Sequence, residues 1–526
     1  MNPVEAYLEQ VRAIHLSGAG VPETSYYPAL SNLFNEIGKT LDPKVRCIIN
    51  LANRGAGLPD GGLFTADQLR RTPDEDAFTA QVPSRGAIEV KPPSEEVEAI
   101  AGTAQLARYL DRYRQVLVTN LRDFALFGRE ADGQTVKLEH GSLAPNEELF
   151  WQSALHPRVF ALREGARLVE SLRRVMLHAA PLAAPQDLAA FLASYARDAR
   201  IRLEGHDLPA LASLRAALEE ALGMQFEGEK GEHFFRSTLV QTLFYGIFSA
   251  WVIWAQHHPR EDRTAVFDWK SAAWSIELPV LRTLFGLIST RSTLQPLDLV
   301  PLIDSACRAL NRVDRVQFFA RFEEGLAVQY FYEPFLEAFD PDLRKQLGVW
   351  YTPREIVQYQ VTRVDTVLRE ELGIADGLAD ERVVVLDPCC GTGTYLVEVL
   401  KRIAKTLKAK SGDALLANDL KRAAMERVFG FEILPAPFVV AHLQLGLLLA
   451  HLGAPLGGDH ERVGVYLTNA LTGWEPPKGP KQKVLPFPDL EEEREAAEHV
   501  KRDQPILVIL GNPPYNAFAG VSPQEE

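Results

Sequence analysis

The sequence predicts a multi-domain α/β protein, with an α/β part at each end and an all-helical connector between them. Three observations support this fold class. Near the N-terminus, short apolar runs alternate with amphipathic helical patterns. At 383–407 an apolar run leads through a glycine-rich turn into a helical pattern, and another apolar run at 506–510 ends in polar and aromatic residues. We expect domains at 1–145, 146–335 and 336–526.

The N-terminal part carries acidic and basic residues on and beside a short strand. Asp60 precedes a turn-rich stretch, and the predicted strand Ala87–Val90 leads directly into Lys91. Alternation along a strand places Glu89 and Lys91 on the same face, directed toward Asp60. Two carboxylates and the Val90 carbonyl form an oxygen-only site suited to Mg²⁺. Lys91 can orient or activate an attacking water there.

This arrangement resembles the core of PD-(D/E)xK nucleases, which are found in many restriction enzymes. Glu23 precedes an amphipathic helix, where that fold often has a further acid. Gln105 lies one helical turn before Tyr109 on the next predicted helix, where some members carry a Gln that faces the active site. The resemblance implies a restriction-endonuclease-like fold and Mg²⁺-dependent phosphodiester cleavage. The implied catalytic residues are Asp60, Glu89, Lys91, Gln105 and Glu23. A nuclease fold that has lost its activity is the alternative.

The connector from 146 to 335 is rich in Leu, Ala, Arg and Phe at helical spacing. Its aromatic residues lack interleaved basic residues, so they predict helix packing rather than a base-stacking platform. These aromatic residues are Phe234, Phe235, Phe244, Tyr245, Trp251 and Trp254. The apolar run Leu239–Trp254 is shorter than the roughly 20 residues of a membrane span, so we expect no membrane association. The chain contains no Gly-x-x-x-x-Gly-Lys-Ser/Thr motif, so no P-loop ATPase is predicted.

In the C-terminal part, a strand at 383–386 runs into Asp387 and the turn Gly391-Thr392-Gly393. Glycine at these turn positions lets the backbone approach a ligand closely. Asp387 stands at the carboxyl end of the strand, which is where open α/β sheets bind ligands. This pattern predicts a ligand site at the strand end.

A second motif, Asn512-Pro513-Pro514-Tyr515, directly follows the apolar run at 506–510, which predicts a buried strand. The Asn512 side-chain oxygen and the Pro513 carbonyl are acceptors for the two N–H bonds of an exocyclic amine. Tyr515 offers a ring face for stacking on a base taken out of the duplex. The motif therefore favours a site for a flat, amino-bearing heterocycle.

The two motifs together resemble an amino-group DNA methyltransferase of the adenine-N6 type over residues 347–516. The resemblance implies methyl transfer from S-adenosylmethionine to adenine N6, with Asn512, Pro513, Pro514 and Tyr515 at the catalytic site. Tyr351-Thr352-Pro353 is similar to the segment that closes over the methionine part of the cofactor. The implied cofactor-binding residues are Tyr351, Thr352, Pro353, Asp387, Cys390, Gly391, Gly393, Glu432 and Asn469.

Two of these cofactor positions carry alternatives. Glu432, in Gly430-Phe431-Glu432-Ile433, is similar to the acid that binds the ribose hydroxyls, and Asp419 is its rival. Asn469 falls where the family often has an Asp beside the adenine amine of the cofactor. An Asn at this position departs from the family pattern.

A nuclease, a helical connector and an adenine methylase in one chain resemble a type IIG restriction–modification enzyme, or the related type ISP class. The implied partner is duplex DNA. A methylation-only enzyme of an antiphage defence system, with an N-terminal domain that holds DNA, is the main alternative. A non-catalytic methyltransferase-like module, or an RNA or protein-glutamine substrate, are further alternatives.

Composition adds broad limits. Four cysteines without zinc-ligand spacing indicate no disulfide framework, hence a reducing, cytoplasmic location. The net charge of −14 does not exclude DNA, because phosphate binding depends on local patches, and Arg108, Arg112 and Arg114 are candidates.

The resemblance implies a Rossmann-like sheet within 336–526. The family's sheet continues beyond the strand that ends at Asn512, so the sheet of this sequence is expected to be incomplete. We therefore expect a missing C-terminal part or a second chain to complete the sheet and to carry the target-recognition domain. Without it, an edge strand and apolar faces would lie uncovered, so residues from about 370 onward are expected to pack poorly.

Overall fold

A computed structural model describes residues 2–21, 23–51, 57–69, 82–129, 133–179, 182–204, 206, 211–222, 224–262, 264–271, 279–322, 327–341, 352–411, 413–457, 461–475, 487–513 and 521–523. The chain divides into two compact units, Met1–Pro181 and Leu182–Glu526. The finer division at 145 and 335 stays a prediction.

The N-terminal unit is built on a six-stranded sheet whose strands follow one another in sequence order. They are β1 (Val45–Ile49), β2 (Gly61–Thr65), β3 (Ala87–Val90), β4 (Val116–Thr119), β5 (Asp123–Arg129) and β6 (Thr135–Ser142). Neighbouring strands are antiparallel except β3 and β4, which are parallel. A parallel pair requires a crossover, and the chain between β3 and β4 contains a helix.

The α-helices of this unit among its described residues are α1 (Pro3–Ser17), α2 (Tyr27–Gly38), α3 (Ala104–Tyr113), α4 (Glu147–Ala154) and α5 (Pro157–Leu177). Ala87 of β3 lies in the core that α3 covers, whereas Ile88 and Val90 lie in the larger core with α1, α2 and α5. Because side chains alternate along a strand, Glu89 shares the face of Ala87 and is directed toward α3. The strand β3 thus places one carboxylate on the α3 side of the sheet.

The second unit begins with helices. They are α6 (Pro185–Leu203), α7 (Ala212–Leu222), α8 (Gly228–Gln256), α9 (Pro279–Ile288), α10 (Arg291–Leu294), α11 (Val300–Asn311), α12 (Arg315–Phe322) and α13 (Ala327–Phe339). The short strands β7 (Met224–Phe226) and β12 (Val521–Pro523) pair antiparallel; the strands between them in the chain are described below. Phe234, Phe244, Tyr245 and Trp251 of α8 are buried, which confirms that these aromatic residues form helix-packing core.

Helix α8 is longer than its apolar run predicts, at 29 residues. Within the described part of the chain it is the one helix that is long and apolar enough to cross a membrane, although 89% of its apolar window is buried inside the protein. A buried core helix meets the same criteria of length and composition, so these criteria alone do not indicate a membrane span.

A four-stranded parallel sheet follows, in the order β10-β9-β8-β11. Its strands are β8 (Val384–Asp387), β9 (Val428–Glu432), β10 (Val465–Leu467) and β11 (Ile506–Ile509). Its helices are α14 (Arg354–Glu370), α15 (Thr394–Ser411), α16 (Asp413–Glu426), α17 (Pro435–His451) and α18 (Pro488–Asp503). Since all four strands are parallel, their carboxyl ends meet at one edge of the sheet.

One expectation about this region is wrong: the strand at 506–510 is not fully buried, because Leu507 is 48% and Ile509 66% exposed on β11. Their exposure agrees with the expected uncovered edge, since β11 is an edge strand among the described residues. Poor packing does not extend to the interior of the sheet, because every residue of β8 and β9 is buried.

Candidate functional sites

The first candidate site lies at the carboxyl edge of the parallel sheet. Asp387 ends β8, Glu432 ends β9, Asn469 follows β10 and Asn512 follows β11. The turn after β8 is joined to β9 by the backbone N–H of Gly391, which donates to Glu432 Oε2 at 2.9 Å. The parallel topology therefore brings together residues that are far apart in sequence.

The carboxyl group of Asp387 is fully buried. Its Oδ1 accepts the N–H of Cys389 at 3.1 Å, and its Oδ2 has no hydrogen-bond partner among the described residues. Burial raises the pKa of Asp387 to about 7, with a further contribution from the nearby Glu432 carboxylate. Buried polar atoms in native proteins almost always have a partner. This oxygen is therefore suited to a ligand that carries a positive charge or an N–H donor.

Glu432 is held by three backbone donors. Its Oε1 accepts the N–H groups of Ile433 at 2.9 Å and Leu434 at 2.8 Å, while Oε2 accepts from Gly391. Burial raises the pKa of Glu432 to about 7, against the lowering effect of these donors. A carboxylate oxygen accepts about two hydrogen bonds, so Oε2 has room for one hydroxyl. The rival Asp419 lies within α16 and pairs with Arg422, not at a strand end.

The turn between β8 and α15 has the backbone that its glycines predict. Gly391 has φ of 54° and Gly393 has φ of 87°, which residues with a Cβ rarely adopt. A Cβ on Gly391 would face open space, with no atom within 4 Å. Cys390 is buried and its N–H donates to the Phe431 carbonyl at 2.9 Å. The Cys390 side chain therefore serves packing, and its raised thiol pKa, due chiefly to burial, keeps it protonated.

Asn469 is buried, and its Oδ1 accepts the N–H of Leu471 at 2.9 Å. Lys501 of α18 donates to the Asn469 carbonyl at 2.8 Å and to Thr468 Oγ1 at 2.9 Å. Its ammonium also lies 5.1 Å from the centre of the Phe431 ring. Lys501 thus ties the turn after β10 to α18. Lys501 was not predicted as a site residue from the sequence, because a lysine in a charged helix carries no signal of burial.

Asn512 lies beside the segment that precedes α14. Its Nδ2 donates to Thr352 Oγ1 at 3.1 Å, which brings two separately predicted site residues together. Pro353 is the exposed N-cap residue of α14, and Pro513 is exposed. The predicted roles of Tyr351, Pro514 and Tyr515 lie outside the described residues.

The second candidate site lies in the N-terminal unit. Asp60 Oδ1 accepts from the Tyr27 hydroxyl, and Oδ2 accepts from the backbone N–H of Val90 at 2.7 Å. Glu89 Oε1 accepts from Lys91 Nζ at 2.8 Å and from Gln105 Nε2 at 2.7 Å. The four predicted residues Asp60, Glu89, Lys91 and Gln105 therefore lie in one cluster. Tyr27, one helical turn after Glu23, was not identified from the sequence.

Electrostatics link Glu23 to the same cluster. Partial burial raises the pKa of Glu23; Lys91 opposes this rise, while Asp60 and Glu95 add to it. Burial likewise raises the pKa of Glu89, against the effect of Lys91 and Gln105. Burial lowers the pKa of Lys91, but Glu89, Glu23 and Asp60 outweigh it, so that the pKa is raised overall. Lys91 is therefore protonated at neutral pH, which suits it to orient a water rather than to deprotonate it.

The described residues contain no group of three or more His, Cys, Asp or Glu side chains arranged to hold a metal ion. A cation at the second site would therefore have two carboxylates, Asp60 and Glu89, with the Val90 carbonyl. Mg²⁺ commonly binds through one or two carboxylates and keeps several waters, so this oxygen set fits Mg²⁺.

A comparison with known protein families found a match that includes Asp387, Glu432 and Asn469 of the first candidate site. Residues 327–472 match the N-6 DNA Methylase family. No curated protein matches the chain.

Solved structures give weaker likenesses. DrdV in a DNA complex has 20% identity and a TM-score of 0.41, over 98% of this chain and 44% of its own. A nuclease-deletion mutant of the type ISP restriction–modification enzyme LlaGI has 19% identity and a TM-score of 0.41, over 63% and 24%. The ATP-dependent type ISP restriction–modification enzyme LlaBIII has 17% identity and a TM-score of 0.40, over 81% and 26%. The chain spans less than half the length of each of these proteins. By the family match alone, the stretch 327–472, which includes β8, β9 and β10, is an N6 adenine DNA methylase domain.

Proposed function

We propose that the chain transfers a methyl group from S-adenosylmethionine to adenine N6 in duplex DNA, and that its N-terminal unit is a Mg²⁺-dependent nuclease. Together these activities would make it a type IIG restriction–modification enzyme. The observation that carries the methylase assignment is the contact between Asn512 and Thr352 at the sheet edge where Asp387 and Glu432 lie. The family match over 327–472 supports it.

The residues at this edge fit S-adenosylmethionine. When bound, this cofactor supplies a methyl group on a positively charged sulfur. Asp387 offers a buried carboxylate oxygen without a partner among the described residues, which suits a cationic ligand. Glu432 Oε2 has room for one ribose hydroxyl. The space that a Cβ of residue 391 would occupy is open, because Gly391 has no side chain there. Asn469 lines the turn after β10, where its buried side chain suits the adenine ring.

Asn512 supplies the chemistry on the substrate side. An adenine amine is a poor nucleophile because its lone pair is delocalised into the ring. With one Asn512 N–H directed to Thr352, Oδ1 remains an acceptor for the amine, and the Pro513 carbonyl is a second acceptor. Two acceptors favour a more tetrahedral nitrogen whose lone pair is directed at the methyl group. Positioning of this kind contributes roughly 7–11 kcal/mol at most.

Methyl transfer tests the assignment directly. With labelled S-adenosylmethionine and duplex DNA, wild type should label adenine N6, and Asn512→Ala should transfer no methyl group. Cofactor binding, measured by calorimetry, should stay nearly unchanged in Asn512→Ala, because that side chain faces the base. Retention of methylation by Asn512→Ala contradicts the proposal.

The nuclease assignment rests on the cluster of Asp60, Glu89, Lys91 and Gln105. Mg²⁺, when bound, polarises the scissile phosphate and lowers the pKa of a bound water. Glu89 is fixed by two donors on one oxygen, which leaves Oε2 for the cation. Arg108, Arg112 and Arg114 are exposed on and just after α3, the helix of Gln105, and are suited to DNA phosphates.

Cleavage of long duplex DNA in Mg²⁺ tests this second activity. Lys91→Ala should abolish cleavage, whereas Lys39→Ala, which changes an exposed lysine of the same unit, should leave it unchanged. No cleavage by wild type, with S-adenosylmethionine present, would favour the alternative, a methylation-only defence enzyme whose N-terminal unit holds DNA.

A further inference from the structure

The carboxylate of Asp60 is held at both of its oxygens. The Tyr27 hydroxyl, at the first residue of α2, donates to Oδ1, and the Val90 N–H of β3 donates to Oδ2 at 2.7 Å. Asp60 lies immediately before β2 in a loop, where its side chain has no neighbouring turn of helix to restrain it. The contact with Tyr27 therefore ties this loop residue to a helix.

The two carboxylates of the cluster are restrained in a matching way. Glu89 accepts from Lys91 and Gln105, and Asp60 accepts from Tyr27 and Val90. Each Asp60 oxygen still has one lone pair, because a carboxylate has about four acceptor positions. Those lone pairs are available to a cation without loss of the existing hydrogen bonds.

The geometry of Tyr27 suits it to act as a donor to Asp60. Its side chain is buried, and its phenol hydroxyl, which has a single proton to donate, is directed at Asp60 Oδ1. A Phe at this position would keep the ring packing and lose only the donor.

We propose that Tyr27 is the positioning residue that fixes Asp60 for a divalent cation in the N-terminal site. The inference rests on the proposed nuclease function. Tyr27 acts through Asp60 and touches neither cation nor DNA. Partners of this kind, which orient a metal-ligating carboxylate, typically change metal affinity or activity by roughly 10- to 100-fold when removed.

The test uses Mn²⁺ as a probe for the cation, with the full chain and without DNA. Electron paramagnetic resonance measures free Mn²⁺ during titration of wild type, Tyr27→Phe, Tyr26→Phe and Asp60→Asn. Tyr26→Phe is the matched control, since Tyr26 is the preceding residue, is also buried and has its ring beside Trp151. We expect Tyr27→Phe to bind Mn²⁺ at least about tenfold more weakly, Tyr26→Phe to match wild type and Asp60→Asn to bind none.

A second measurement separates positioning from folding. DNA cleavage by Tyr27→Phe should require more Mg²⁺ but reach a rate near that of wild type at saturation, whereas Lys91→Ala should stay inactive at every concentration. Unchanged Mn²⁺ affinity in Tyr27→Phe, with none in Asp60→Asn, overturns the role of Tyr27 and leaves the nuclease proposal standing. If no Mg²⁺ concentration restores DNA cleavage by Tyr27→Phe, the positioning role of Tyr27 is also overturned. Failure of wild type to bind Mn²⁺ overturns both.

Discussion

The side-chain amide of Asn512 donates a hydrogen bond to the hydroxyl of Thr352, 3.1 Å away. Asn512 follows the edge strand β11, and Thr352 precedes α14, so the bond joins two ends of the methylase sheet region. It fixes the plane of the amide and thereby the direction of Oδ1. In the proposed reaction, this geometry orients the acceptor for the adenine amine.

Thr352→Val should therefore slow methyl transfer without a large effect on the cofactor. Val keeps the shape of Thr and removes the acceptor, and loss of a hydrogen bond worth about 1 kcal/mol corresponds to a several-fold lower rate. Single-turnover methylation measures the rate, and calorimetry measures cofactor affinity. Thr366→Val, within α14 and with its hydroxyl bonded to the Thr362 carbonyl, is the control and should match wild type. An unchanged rate in Thr352→Val would show that the contact does not orient Asn512.

Cofactor affinity should rise with pH up to neutrality. The pKa values of Asp387 and Glu432 are each raised to about 7, chiefly by burial, so the cofactor-free site binds protons that the unfolded chain releases at about pH 4. A cationic cofactor favours the ionised carboxylates. Binding should therefore release protons, and affinity should increase between about pH 5 and 7 and level off above.

Calorimetry in buffers of different ionisation enthalpy measures this proton release, and Asp387→Asn should reduce it. The same pKa shifts have the opposite effect on the cofactor-free domain, whose free energy of unfolding should fall as pH rises. Because the folded pKa values are raised, the native state binds more protons in this window, and the stability contribution is lost as pH rises through about 7. Affinity that is constant from pH 5.5 to 8 would argue against a cation beside these carboxylates.

Gly511→Ala should weaken cofactor binding. A Cβ at residue 511 would overlap Asp387 Oδ1, and the buried Asp387 side chain would have to rotate from its place. We expect about tenfold weaker binding and a loss of about 1–3 kcal/mol in the free energy of unfolding, as for other overpacked sites. Gly446→Ala, in α17 with no atom near the added Cβ, is the control and should be neutral or slightly stabilising. Normal binding by Gly511→Ala would place Asp387 outside the cofactor site.

Lys501 should give the unfolding free energy a dependence on alkaline pH. Burial lowers its pKa to about 8, with Arg502 adding and Glu498 opposing. Between about pH 8 and 10 the unfolded chain binds more protons at this position, so wild type should become more stable relative to Lys501→Met as pH rises. Urea unfolding of both proteins at pH 7 and 9.5 measures the difference, in which other titrating groups cancel. A constant difference would show that Lys501 is not desolvated as the structure indicates.

Short-range patterns in the sequence determined much of the architecture. The apolar runs predicted β3 and β8, the aromatic residues of α8 predicted its burial, and the glycine pair predicted the turn at Gly391 and Gly393. Alternation along β3 predicted that Glu89 and Lys91 share a face, and they form an ion pair. These features follow from neighbouring residues, whose spacing is set by the local backbone geometry.

Only the tertiary structure decided which distant residues meet and which strands are covered. The exposure of Leu507 and Ile509 depends on a neighbouring strand, and composition cannot reveal it. Tyr27 and Lys501 are common residue types in ordinary helices, and their roles emerged only from contacts with Asp60 and with the turn at Asn469. Such contacts arise from the packing of elements far apart in the chain, so no periodicity within one segment encodes them.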